Sequence, residues 1–84
     1  MSPEEIRSKV LAALTQIVPE ADPQQIRSQV SLRDQLDIDS MDFLNFAIAL
    51  HNEFRVEIPA RDYSKLTTLD GCVDYLGQSL QGRP

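Results

Sequence analysis

The sequence predicts an all-α fold: a four-helix bundle of three longer helices and one short one, with a long ordered loop between the first and second. Three observations predict it. Apolar residues recur three and four apart in three stretches, each opened by a residue able to cap a helix. No run of residues makes a convincing strand. Pro19 and Pro59 stand where two of the helical stretches must already have stopped.

The first helix opens at Ser2-Pro3-Glu4-Glu5. Ser2 is a cap, Pro3 suits the first helical position, and the two glutamates face the positive end of the dipole. Ile6, Val10, Leu14 and Ile17, with Ala13 and Val18 beside them, carry the period to about Val18. From Pro19 to Asp39 the chain reads as a connector that is ordered but irregular. Ile26, Val30, Leu32, Leu36 and Ile38 give it apolar side chains with which to pin itself to the helices, and so long a structureless stretch implies short helical turns or a functional role. The second long helix begins with Asp39 as cap and Asp42 in its acidic first turn, and ends near Phe54 or Arg55.

Val56-Glu57-Ile58-Pro59 is expected to be extended, because the residue before a proline is pushed away from helix. A short helical turn follows over Asp62 to Leu66. Thr67-Thr68-Leu69-Asp70 then offers a hydroxyl cap, and Leu69, Val73, Leu76 and Leu80 mark a last helix to near the C-terminus. Gly71 is expected to weaken that helix by about 1 kcal/mol relative to alanine. Gln81-Gly82-Arg83-Pro84 reads as a frayed tail. The 84 residues are one domain, 1–84 with a core over 3–80, and a chain of this size buries only about 60–65% of the surface it exposes when unfolded. That leaves little room for an enclosed catalytic cleft.

The net charge of −5 argues against a nucleic-acid partner, since phosphate binding needs clustered Lys and Arg. Asp34, Asp37, Asp39 and Asp42 concentrate the negative charge, while Arg27, Arg33, Arg55, Arg61 and Lys65 lie to either side, so the field around Ser40 is expected to be negative. Cys72 is the only cysteine, which rules out an internal disulfide and, with no Cys/His pattern, a zinc site. The N-terminus shows no apolar signal core and the Phe43–Leu50 window is too short to span a bilayer, so a cytoplasmic protein without a membrane span is expected.

Ser40 is the polar side chain without an ordinary explanation. It stands at an exposed helix start among carboxylates and apolar residues, and reads either as an attachment point or as a plain helix-start residue. A self-contained nucleophile needs a base beside it, but the single histidine, His51, is eleven residues along the same helix, roughly 16 Å away. No catalytic residue is assigned. A calcium loop starting at Asp37 fails as well, because its fifth, sixth and twelfth places are Met41, Asp42 and Ile48. No metal site is expected beyond weak divalent binding to the acidic patch. His51 reads as an exposed helix residue and Cys72 as a small core residue. The second helix carries Met41, Phe43, Leu44, Phe46, Ala47, Ile48, Leu50 and Phe54, more apolar surface than one stripe requires. Part of it is expected to meet a partner, above all Met41, Leu44 and Ile48.

Leu36-x-x-Asp39-Ser40-Met41-Asp42, the apolar helix after it, Phe54-x-Val56-Glu57-Ile58-Pro59, Leu66-Thr67-Thr68-Leu69 and the final Asp74-Tyr75-Leu76 resemble the acyl carrier protein family from about Pro3 to Leu80. The resemblance implies a carrier that performs no chemistry itself. A phosphopantetheinyl transferase would use coenzyme A to place a 4′-phosphopantetheine arm on Ser40, with Asp39 as motif residue and helix cap. The arm would hold acyl cargo as a thioester and present it to acyl-activating ligases or synthases. Met41, Asp42, Phe43, Leu44, Asn45, Ile48 and His51 would form the partner surface of a monomer. Two departures from the family pattern stand out. Asp37 occupies a place where glycine is common, and Asn45, His51 and Asn52 stand where carriers of fatty acid synthesis often have glutamate. With Phe43 and Phe46 making that surface bulkier, the pattern favours a dedicated carrier of a specialised lipid, polyketide-like or secondary pathway. A stand-alone aminoacyl or peptidyl carrier would share the serine and the arm. An unmodified helical adaptor would use only the apolar stripe.

Overall fold

The computed structural model describes residues 1–81. Helix α1 spans Pro3–Ile17. Its start is a reciprocal capping box: Ser2 Oγ accepts the Glu5 amide at 3.2 Å, and the Glu5 carboxylate accepts the Ser2 amide at 3.4 Å. Ile6, Val10, Ala13 and Leu14 form its buried face.

The connector is more regular than its sequence suggests. A 3₁₀ turn at Pro23–Gln25 is capped by Asp22, and a five-residue helix α2, Leu32–Leu36, is capped by Ser31. Gln35 fastens the segment to itself. Its amide nitrogen donates to the carbonyls of Arg27 (2.9 Å) and Val30 (3.0 Å), and its oxygen accepts the Arg27 amide at 2.9 Å. Two backbone bonds then tie the connector to the far end of the chain: Leu32 N–H to Thr67 O (2.8 Å) and Asp70 N–H to Ser28 O (3.0 Å). Ile26, Leu32 and Ile38 are buried as expected, but Val30 is exposed, because the turn before α2 points it outward.

Helix α3, Ser40–Phe54, is capped by Asp39, whose carboxylate accepts the Asp42 amide at 2.8 Å. It closes on Arg55 in the left-handed conformation (φ 55°), whose amide donates to His51 O at 2.8 Å. After Pro59 a 3₁₀ helix runs over Ala60–Leu66, starting two residues before the expected turn. Helix α4, Leu69–Gln81, is capped by Thr68, which accepts the Gly71 amide at 3.0 Å, while Thr67 donates back to Ser64 O. Gln81 is therefore helical, and the rest of the anticipated tail, 82–84, lies outside the described residues.

α1 packs against both α3 and α4, and the 3₁₀ helix packs against α4. Phe46, Leu50 and Phe54 of α3 meet Val10 and Leu14 of α1 and Leu69, Cys72 and Leu76 of α4 in one core, with Leu32 and Leu66 closing it. Three long helices and one short helical segment make the all-α bundle the sequence implies, with α2 as an addition inside the connector. Among the described residues no buried side-chain polar atom lacks a hydrogen bond.

Gly71 overturns the propensity argument. A Cβ there would stand 2.5 Å from the Lys65 carbonyl oxygen and 3.1 Å from Thr68 Oγ1, so the glycine is required by the close approach of the 3₁₀ helix to α4. Gly71→Ala is expected to lower stability by about 1–3 kcal/mol through overpacking, instead of raising it through helix propensity. Urea denaturation decides the sign.

Cys72 is buried, and its thiol donates to Leu66 O at 3.5 Å. Burial pushes its pKa up from 9.0 to about 12. The folded value lies above the unfolded one, so the stabilisation is full below pH 9.0 and is lost as pH climbs toward 12, because the unfolded thiol ionises first. Urea midpoints at pH 8 and pH 10.5 are therefore expected to fall further for the native chain than for Cys72→Ala. Equal losses would show that the thiol contributes nothing to the alkaline limb.

Candidate functional site

The turn from α2 into α3 builds the site. Asp37 follows α2 in the left-handed conformation (φ 53°, ψ 45°), and its amide donates to Arg33 O. The next amide, from Ile38, reaches the same carbonyl at 3.2 Å. Asp37 thus supplies the tight-turn geometry for which glycine is the usual residue, aided by the short polar side chain that lets Asp tolerate it. Ile38 drops into the core, Asp39 caps α3, and Ser40 becomes the first helical residue with its side chain exposed.

The cap of α3 is Asp39, as expected, so the serine hydroxyl at the first helical position has no capping duty. Its side-chain partner is Arg33, whose Nη2 donates to Ser40 Oγ at 3.2 Å. The same guanidinium lies over the Phe43 ring, 6.0 Å from its centroid. The surroundings of Ser40, expected to be negative, therefore contain one of the flanking cations, which the turn folds back from α2. Beside the hydroxyl opens a groove of about 340 Å³, lined by Arg33, Ser40, Phe43, Leu44, Tyr63, Ser64 and Thr67. Its walls come from α2, α3 and the end of the 3₁₀ helix.

The anticipated partner residues divide in two. Met41 (68%), Leu44 (39%) and Ile48 (45%) are exposed large apolar side chains on one face of α3, and Asn45 and His51 are exposed near them. Asp42 is half-buried, its amide taken by the Asp39 cap. Phe43 does not belong to a partner surface. It is 9% exposed, set edge-on to Tyr63 with ring centroids 6.3 Å apart and tilted on Phe46 at 6.2 Å, so it walls the groove from inside. Phe46 is wholly buried, and the aromatic bulk anticipated for that surface is core instead.

His51 does not approach Ser40. Its Nδ1 lies 2.8 Å from Val56 O, and since a carbonyl only accepts, Nδ1 must carry the proton. The histidine thus fastens the exit of α3, near the opposite end of the helix from the serine. Among the described residues no three His, Cys, Asp or Glu side chains gather to hold a metal, and no helix is long and apolar enough to cross a membrane.

A family model described as a phosphopantetheine attachment site matches residues 8–76. The chain belongs to the phosphopantetheine-attachment family of acyl carrier proteins. Its fold is similar to that of an acyl carrier protein from Enterococcus faecalis, with a TM-score of 0.73 and 27% identity over 94% of this chain and 99% of the other. It is also similar to the solution structure of a chain assigned as an acyl carrier protein from Anaplasma phagocytophilum, with a TM-score of 0.81 and 26% identity over 99% and 94% of the two chains. Carriers of this family are not enzymes. Their cofactor is covalent 4′-phosphopantetheine, and their partners are the transferase that adds it and enzymes that handle acyl groups. The site fits that group: an exposed hydroxyl, free of capping duty, opens on a groove with apolar walls.

The division of labour between neighbours is testable by denaturation. Asp39→Ala is expected to cost about 1 kcal/mol by removing the cap. Ser40→Ala should change stability by less than about 0.5 kcal/mol, as an exposed residue with no structural duty does.

Proposed function

We propose that Ser40 is the attachment point of the 4′-phosphopantetheine arm. The observation that supports this most is the exposed Ser40 Oγ at the start of α3, with Asp39 already serving as cap. Modification then costs the bundle no hydrogen bond that holds the helix. The serine oxygen forms a phosphoester bond as the bond to the adenosine bisphosphate part of coenzyme A breaks. A base on the transferase takes the hydroxyl proton, which accounts for a site in which His51 is turned away to Val56. When bound, the arm supplies a terminal thiol that holds an acyl group as a thioester.

The exposed Met41, Leu44 and Ile48 stripe, bordered by Asp42, Asn45 and His51, is the docking face in this reading. A small apolar stripe beside an acidic rim gives fast encounter with modest affinity, which suits a carrier that must leave each enzyme after its turn. Asn45, His51 and Asn52 are exposed neutral side chains along α3. They favour a dedicated carrier, served by its own ligase or synthase in a specialised lipid or secondary pathway. The functional unit is a single monomeric carrier domain over 3–80, working in the cytoplasm.

Incubation with coenzyme A, magnesium and a broad-specificity phosphopantetheinyl transferase tests the reading. Intact mass should rise by one phosphopantetheine group in the native chain and stay unchanged in Ser40→Ala, which should remain folded by circular dichroism. An unmodified native chain, or a modified Ser40→Ala, would overturn the assignment.

A further inference from the structure

The cation at the site has no structural duty that accounts for its placement. Arg33 is exposed on α2, yet its guanidinium lies over the Phe43 ring and within 3.2 Å of Ser40 Oγ. Asp34, Asp37, Asp39 and Asp42 all lie close in sequence, but among the described residues the ion pairs are Lys9–Glu53 and Asp62–Lys65, and none involves Arg33. An arginine in so acidic a segment that passes over carboxylates for a neutral hydroxyl is held by its surroundings. The stacking on Phe43 holds its guanidinium, while the two amides of Asp37 and Ile38 fasten its backbone carbonyl at the turn.

We propose that Arg33 is the positioning residue for the phosphodiester at Ser40, holding the arm's phosphate at the mouth of the groove. This rests on Ser40 being the attachment point. The phosphorus replaces the hydroxyl hydrogen, so the anionic oxygens lie two bonds beyond the atom that Arg33 already contacts. A guanidinium offers five donors in a planar fork that matches phosphate oxygens, and the pair is charged on both sides where the present bond is charged on the donor alone. The cation also offsets the repulsion that Asp39 and Asp42 exert on a new negative group beside them. Arg33 lines the groove together with Phe43, Leu44, Tyr63, Ser64 and Thr67, whereas Met41 and Ile48 do not. A phosphate fixed by Arg33 therefore leaves Met41 and Ile48 of the docking stripe uncovered.

The test compares native chain, Arg33→Met and Arg33→Lys, each in apo and modified form. Arg33→Met keeps an apolar side chain over Phe43 while removing the charge. Intact mass reports modification first, and a native chain that stays unmodified refutes the Ser40 assignment separately from the role of Arg33. With all three chains modified, modification is expected to shift the melting temperature of the native chain upward relative to Arg33→Met by about 2–5 °C, as an exposed ion pair in a domain of this size would. Arg33→Lys should recover part of that difference, and 1 M salt should close it. The phosphorus-31 resonance of the native chain should differ from that of Arg33→Met at low salt and converge with it at high salt. Equal melting shifts with coincident phosphorus resonances would overturn the proposal. So would loss of modification confined to a folded Arg33→Met, which would place the arginine in recognition by the transferase instead.

Discussion

A left-handed residue between two helices governs where everything at the site can be. Asp37 adopts φ 53° and ψ 45°, a conformation that costs an ordinary L-residue about 1–2 kcal/mol and an aspartate less. In return the chain reverses within two residues. Arg33 O accepts both the Asp37 and Ile38 amides, Ile38 is driven into the core, and the next residue is already the cap of α3. Arg33 and Ser40 are seven residues apart and on different helices, and this turn is what brings their side chains within hydrogen-bonding distance.

The second support is the way the connector is held. Gln35 closes the segment on itself through Arg27 and Val30, and Leu32 N–H reaches Thr67 O across the molecule. Thr67 also lines the groove beside Ser40. The backbone bond from Leu32, the neighbour of Arg33, to Thr67 thus ties two walls of the groove together. Leu32, wholly buried next to Arg33, locks α2 in rotation.

The three long helices were legible because each combines a capping residue with apolar spacing sustained over several turns, as in Ser2 with Ile6, Val10 and Leu14. The five residues of α2 are too few for a period to register, and a fastener such as Gln35 obeys no period at all. On α3 the apolar residues reach most of the way round, so spacing alone does not tell which side is core. Tertiary packing buries Phe43 and Phe46 and leaves Met41, Leu44 and Ile48 outside. The place of Ser40 at the exposed start of α3 could be read from the sequence, but its contact with Arg33 could not, because helical spacing carries no meaning across a left-handed turn. Gly71 was misjudged for a similar reason: intrinsic propensity is blind to a carbonyl arriving from the 3₁₀ helix.

The sealed position of Cys72 bears on how a carrier's cargo chemistry stays clean. Only a thiolate exchanges with thioesters or attacks electrophiles at a useful rate, and this side chain is both inaccessible and held in its protonated form far above neutral pH. A carrier bearing its prosthetic arm would contain two thiols but present just one to the surroundings. Acyl groups could not migrate onto the cysteine of the polypeptide, and disulfides between two carriers could form only through their arms. Alkylating reagents applied to the native protein would then count unloaded arms directly, with no background from the scaffold.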